Sequence, residues 1–239
     1  KYTDYHEMLK DSDIDAVVIA TPPSLHFEMA SCALEKGKHV LVEKPMVTSI
    51  EEGEALVRIA KKSGKILMVG HQYVYNDYIL HFKKELDQGI LGDIRYIFAE
   101  HFYTGPIRYD VDLLWETATH ELSIIDYLFG QMKIMSASGN AISINRERND
   151  FISCSVTFDI NISLFMTLSW YAPHKIRRMT IAGDKGMALF DDCKPEKKLQ
   201  FTLCPYPSKQ GKNTFSHFFT IPKNNIIIPP IEAREPLGN

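Results

Sequence analysis

"DIDAVVIATPPSLHFEMASCALEKGKHVLVEKP", residues Asp13 to Pro45, is the stretch that decides the fold. Its first apolar run, Asp15 to Ala20, is short and β-branched and stops at Thr21-Pro22-Pro23. An amphipathic segment follows, with Leu25, Met29 and Cys32 at helical spacing, Ser24 as a candidate N-cap and Gly37 as a C-terminal stop. A second apolar run, His39 to Val42, ends in an acid, an amine and a proline: Glu43-Lys44-Pro45. Further along, Thr48 or Ser49 opens a second helix with acids in its first turn, lysines in its last and Gly64 beyond, an order that suits the helix dipole. "KILMVG" then reads as a third strand.

Strand, helix, strand, helix, strand with apolar strands predicts a parallel sheet covered on both faces. Right-handed crossovers gather the strand C-termini at one rim, where ligands of such sheets bind. Thr21-Pro22-Pro23, Glu43-Lys44-Pro45 and Gly70-His71-Gln72 all end strands at that rim. The texture then changes. A helix is expected from about Asn76 to Gln88, a strand in "DIRYIFAEHFY" and a long helix in "DVDLLWETATHELSIIDYLFG". From Lys133 the chain alternates as strands, with Gly183 and Gly186 marking turns. The expected fold class is α/β: a partial Rossmann domain over residues 1–73, then an α+β domain with an open, mostly antiparallel sheet over 74–239.

Composition excludes several classes. The chain has 239 residues, 45% hydrophobic and 24% charged, with net charge −3 and both signs interspersed, so neither a nucleic-acid surface nor a membrane-binding face is indicated. No apolar run approaches the ~20 residues that span a bilayer. Cys32, Cys154, Cys193 and Cys204 form no CxxC and no metal-like cluster, which reads as free thiols in a cytoplasmic protein and no metal site. None of the 13 glycines makes a G-x-G, the turn that a nucleotide-binding sheet carries after its first strand. With no initiating methionine, the chain reads as cut, with at least one βαβ unit of ~30 residues expected upstream.

Several side chains carry candidate chemistry. Lys44 at the strand rim could relay a proton or steady an alkoxide, or form a surface pair with Glu43. A cis Lys44-Pro45 bond is expected at this X-Pro position. His120 lies four residues after Glu116, so the two would share a helical face, and the acid could orient a general base; a packed, salt-bridged histidine is the plainer reading. Arg108, beside Asp110 and Asp112, could clamp a phosphate or pair within a solvated loop. His26 could reach a cofactor or sit exposed in a first helical turn. Trp170 and Tyr171 could stack on a ring or pack a strand.

Taken together, "ATPPSLH", "EKP" and "VGH" at their spacing resemble the glucose-fructose oxidoreductase, inositol dehydrogenase and MocA family. "HQYVYNDYILHFKKELDQGILGDI", "GPIRYDVDLLWETATHELSIIDYLFG" and "RRMTIAGDKGMALFDDCKPEKKL" resemble a narrower branch acting on nucleotide-linked amino sugars, in the manner of UDP-N-acetylglucosamine 3-dehydrogenases. The resemblance implies an NAD-dependent sugar dehydrogenase, with NADP open because the discriminating residue belongs upstream. It implies Lys44 and His120 as the catalytic pair, with Glu116 where many members carry Asp and Ser123 where many carry a second acid. Thr21, Pro22, His26, Glu43 and Gln72, with Lys44, would line the nicotinamide end; Tyr75, Asn76 and Arg108 would face a sugar or nucleotide-sugar substrate. It further implies a homodimer or homotetramer through the open sheet. A free polyol dehydrogenase and a non-catalytic sugar-binding member remain the alternatives.

Overall fold

The first strand forms where the β-branched run predicts it. In the computed structural model, residues 1–104, 108, 110–144, 148–204 and 225–232 are described; part of the "GPIRYD" stretch and most of the C-terminal "IEAREPLGN" lie outside them. Contacts divide the chain into a first unit, Lys1–His71 with Ile107–Thr119, and a second, Gln72–Pro106 with His120–Asn239.

In the first unit a short helix α1 (Tyr5–Met8) precedes β1 (Ala16–Ile19), α2 (His26–Glu35), β2 (His39–Val42), α3 (Ile50–Ser63) and β3 (Leu67–Val69). The strands pair in parallel in the order β1-β2-β3, with Ala16 opposite His39 and Val40 opposite Leu67. Ser49 caps α3 by accepting the Glu52 N–H at 3.2 Å, and Gly64 ends it at φ 66°, a left-handed position that suits glycine. Ile19, Leu34, Val40, Val42 and Leu56 make the core. Burying each such aliphatic side chain stabilises by roughly 1.5–3 kcal/mol. On the face away from α2 and α3, Val18 is 71% exposed and Met68 39%. Successive right-handed crossovers between neighbouring strands in the order 1-2-3 place α2 and α3 on the same side.

The second unit contains α4 (Asp77–Asp87), β4 (Ile94–Phe102), α5 (Thr119–Phe129), β5 (Ile134–Ile142), β6 (Phe151–Phe158), β7 (Ser163–Ser169), β8 (Ile176–Gly183), β9 (Gly186–Asp191), β10 (Leu199–Leu203) and β11 (Ile226–Ile227). Their sheet runs β11-β10-β9-β8-β4-β7-β6-β5. Among the described residues only β4 and β7 pair in parallel, so the expected open, mostly antiparallel sheet is what forms. Alternation along β4 buries Ile97, Ala99 and His101 and leaves Tyr96 and Phe98 on the open face, where Phe165 of β7 is also exposed. Phe82 of α4 meets Phe201 of β10 edge-on, so helices cover the other face. At the β8–β9 turn, Gly183 lies so close to the Leu91 carbonyl that a Cβ there would come within 2.1 Å of its oxygen.

The long helix expected over 110–130 is divided. A π-helical turn, Leu114–Ala118, leads into α5. The Glu116 carbonyl accepts from Lys44 Nζ at 3.2 Å and from Thr119 Oγ1 at 3.5 Å, so it is drawn out of the regular helical ladder. Such turns recur at functional sites.

Candidate active site

The rim of the first unit brings together most of the residues the sequence singled out there. Lys44 follows β2, and its bond to Pro45 is cis. Its side chain is largely buried and its Nζ bonds Glu116 Oε1 at 2.9 Å, so Lys44 pairs with Glu116 rather than with its neighbour Glu43. Glu43 is exposed and lies over Gly70 at the end of β3; a Cβ at Gly70 would meet Glu43 Oε1 at 3.2 Å. An acceptor-only carboxylate on a bare glycine backbone, beside exposed Pro22 and half-buried Thr21, leaves a solvent-facing rim suited to the hydroxyls of a ribose. These residues fit the nicotinamide side of a dinucleotide.

His26 is placed differently. It is neither an exposed first-turn residue nor open to a ligand: it has no exposed surface, and its Nδ1 and Nε2 lie 2.8 Å from the carbonyl oxygens of Pro45 and Thr21. Arg108 forks onto Asp110, Nε to Oδ1 at 3.0 Å and Nη2 to Oδ2 at 2.6 Å, and reaches Glu116 Oε2 at 3.4 Å. Lys44, Glu116, Arg108 and Asp110 therefore form an alternating chain of charges in the first unit.

The second unit holds His120, at the start of α5 and 6% exposed. Tyr73 meets its ring edge-on, centroids 5.2 Å apart, and the His101 ring lies at 6.1 Å. Around them is a buried polar network that sequence reasoning missed. Arg177 donates to His101 Nε2 through Nε and Nη2, at 3.1 and 2.9 Å. A guanidinium only donates, so Nε2 is the acceptor and Nδ1 carries the proton, which His101 gives to Glu121 Oε1 at 2.8 Å. Arg177 also bonds the Tyr73 hydroxyl, which donates to Asp192 at 2.9 Å. Burial, with the negative Asp192 beside it, pushes the Tyr73 hydroxyl well above the ordinary tyrosine range, although Arg177 pulls the other way. Burial also acts to raise Asp192, but its bonds from Lys198 and Tyr73 outweigh that and hold it below the usual carboxylate value. The signal available in the sequence was a histidine at an inward register position of β4.

Gln72 and Tyr75 lie exposed in the turn before α4; Asn76 caps that helix, accepting the Tyr78 N–H at 3.0 Å. Ser123 donates to the His120 carbonyl at 2.8 Å. Trp170 is buried and Tyr171 exposed. Among the described residues there is no cluster of histidine, cysteine or carboxylate side chains that could hold a metal, and no helix long and apolar enough to cross a membrane.

Comparison with known families agrees with this architecture. Residues 1–71 match the model described as an oxidoreductase family with an NAD-binding Rossmann fold, GFO_IDH_MocA, and residues 79–189 match the GFO/IDH/MocA C-terminal domain. The chain belongs to the GFO/IDH/MocA family. Among its relatives, the NADP-dependent scyllo-inositol 2-dehydrogenase IolW of Bacillus subtilis is 33% identical over 164 residues, 64% of this chain and 45% of that protein. The dTDP-3,4-didehydro-2,6-dideoxy-alpha-D-glucose 3-reductase of Actinomadura kijaniata is 36% identical over 114 residues, 46% of this chain and 34% of that one. An inositol dehydrogenase homolog from Azotobacter vinelandii, solved with NADH and myo-inositol, superposes with a TM-score of 0.79 at 23% identity, covering 86% of this chain and 59% of that structure. The chain of this GFO/IDH/MocA member spans about half the length of the curated relatives it matches, or less.

Proposed function

We infer that the whole protein is an NAD(P)-dependent dehydrogenase acting on the hydroxyl-bearing carbon of a sugar, with a nucleotide-linked amino sugar as the substrate class. The observation that carries this reading is the Lys44–Glu116 pair, a largely buried ammonium held at 2.9 Å by a carboxylate beside the parallel-sheet rim. When bound, the nicotinamide supplies hydride acceptance or donation. In this reading Lys44 donates a hydrogen bond to the substrate oxygen and offsets its developing negative charge, Glu116 orients the ammonium, and His120 takes the proton. Thr21, Pro22 and Glu43 line the cofactor side; Gln72, Tyr75 and Asn76 keep the binding roles the family resemblance implies.

Arg108 is the anchor proposed for the nucleotide: the two Asp110 oxygens it now holds are an acceptor pair that a pyrophosphate would replace. That same occupied fork favours a second reading, a free polyol as substrate, which the inositol dehydrogenases among the relatives also support. The cytoplasm is the proposed setting, and the open sheet face carrying Tyr96, Phe98 and Phe165 the proposed homo-oligomer interface.

The test is turnover by the whole protein with NAD⁺ or NADP⁺ and either a UDP-linked amino sugar or a free inositol, followed by nicotinamide absorbance. Lys44→Ala is expected to lower kcat by about a hundredfold or more. Arg108→Ala is expected to lower kcat/KM for the nucleotide sugar by about ten- to a hundredfold and to spare the inositol. An equal effect on both substrates removes the nucleotide-sugar assignment. Failure to bind either nicotinamide dinucleotide removes the dehydrogenase reading in favour of a regulatory sugar binder.

A further inference from the structure

His26 is the one candidate cofactor residue that no cofactor can touch directly. It opens α2 after a 3-10 turn, Pro23–Leu25, and has no solvent-exposed surface. Both of its ring nitrogens are committed to main-chain oxygens, Nδ1 to Pro45 and Nε2 to Thr21, each at 2.8 Å. Carbonyl oxygens only accept, so the ring holds them through N–H donation. Thr21 follows the end of β1, and Pro45 follows Lys44 beyond the end of β2. One imidazole therefore joins the tips of two neighbouring strands, and one of its bonds is made to the residue next to Lys44. The far end of that lysine is fixed by Glu116, through both its carboxylate and its carbonyl. Lys44 is thus held from two sides: its ammonium by Glu116, and the carbonyl of the next residue, Pro45, by His26.

We propose that His26 is a positioning residue for Lys44: it bridges the Thr21 and Pro45 carbonyls, sets where the Glu43-Lys44-Pro45 turn leaves the sheet, and so places the Lys44 ammonium without contacting cofactor or substrate. The proposal rests on the reading of Lys44 as the charge-stabilising group. Displacements of about 1 Å at such a group cost up to roughly a hundredfold in rate, and the effect belongs in turnover rather than in cofactor affinity.

The experiment compares His26→Phe, which fills the space without donors, with His26→Gln, which keeps one donor group, in the whole protein. His26→Phe is expected to lower kcat by about ten- to a hundredfold while KM for the nicotinamide dinucleotide stays within about twofold, with His26→Gln recovering part of the loss. A rise in cofactor KM at unchanged kcat makes His26 a cofactor ligand and overturns the proposal. A fall in thermal stability with both kinetic constants unchanged makes it a purely structural residue and does the same. Should neither variant fold, the wild-type protein decides. Its long-range ¹H–¹⁵N spectrum is expected to show a His26 ring N–H protected from exchange, and its absence refutes the bridge. Lys44→Ala is run alongside: if it leaves turnover intact, the catalytic reading of Lys44 fails on its own account. If it abolishes turnover while His26→Phe does not, only the positioning role fails.

Discussion

Tyr73→Phe removes a single oxygen from the buried network around His120, and its cost can be worked from the contacts. The ring is 6% exposed and fills the same space as phenylalanine, so packing is conserved. The hydroxyl gives one hydrogen bond to Asp192 and takes one from Arg177, both charged partners. Such bonds contribute about 1.5–3 kcal/mol each. Neither partner is stranded by the change: Asp192 keeps Lys198 at 3.0 Å and Arg177 at 3.5 Å, and Arg177 keeps His101. The net loss is therefore nearer one bond than two, about 2 kcal/mol, or roughly 4–8 °C in melting temperature for a domain of this size.

The pH dependence gives the sharper test. The folded hydroxyl titrates well above the ordinary tyrosine value of about 10. Its stabilisation is complete below that pH and is lost as pH rises above it, because the unfolded chain releases the proton first. The loss approaches about 1.4 kcal/mol per pH unit. Phenylalanine has no such dependence, so the stability gap between wild type and Tyr73→Phe is expected to narrow above about pH 10. Urea unfolding followed by circular dichroism from neutral to alkaline pH measures it. No gap at neutral pH, or a gap that stays constant or widens above pH 10, would refute the hydrogen-bond assignment.

Two further substitutions probe the second unit. Glu121→Ala leaves the His101 Nδ1–H, in a residue 1% exposed, without its acceptor and is expected to cost about 3 kcal/mol in urea unfolding. Glu121→Gln, which retains an acceptor oxygen, is expected to cost distinctly less. Gly183→Ala drives a methyl group against the Leu91 backbone carbonyl, which cannot rotate away, and is expected to destabilise by about 3 kcal/mol or more, seen as a lowered melting temperature or loss of soluble protein.

The parallel sheet was legible because its information is local: β-branched runs, helical spacing, and Ser49 and Gly64 at the ends of α3. The placement of Lys44 at the rim followed from crossover handedness alone. What was not legible depends on distant partners. Glu116 was expected to orient His120 along a regular helix. Its carbonyl and carboxylate hold a lysine 72 residues away in sequence, and the helix locally widens into a π turn. His26 was read as a cofactor contact, but the packing of α2 against the two strand tips buries it with both ring nitrogens on main-chain oxygens. The His101–Glu121–Arg177 network draws on β4, α5 and β8, and no single stretch of sequence shows that three such residues meet.

β4 occupies the middle of the eight-stranded sheet, yet both of its partners, β7 and β8, come much later in the chain. During synthesis it emerges with both edges unpaired and waits while α5, β5 and β6 are made. The central strand of this unit is thus the first of its sheet to be translated but cannot be completed until Gly183 has left the ribosome, which puts the nascent chain's period of greatest vulnerability to mispairing between Phe102 and that glycine.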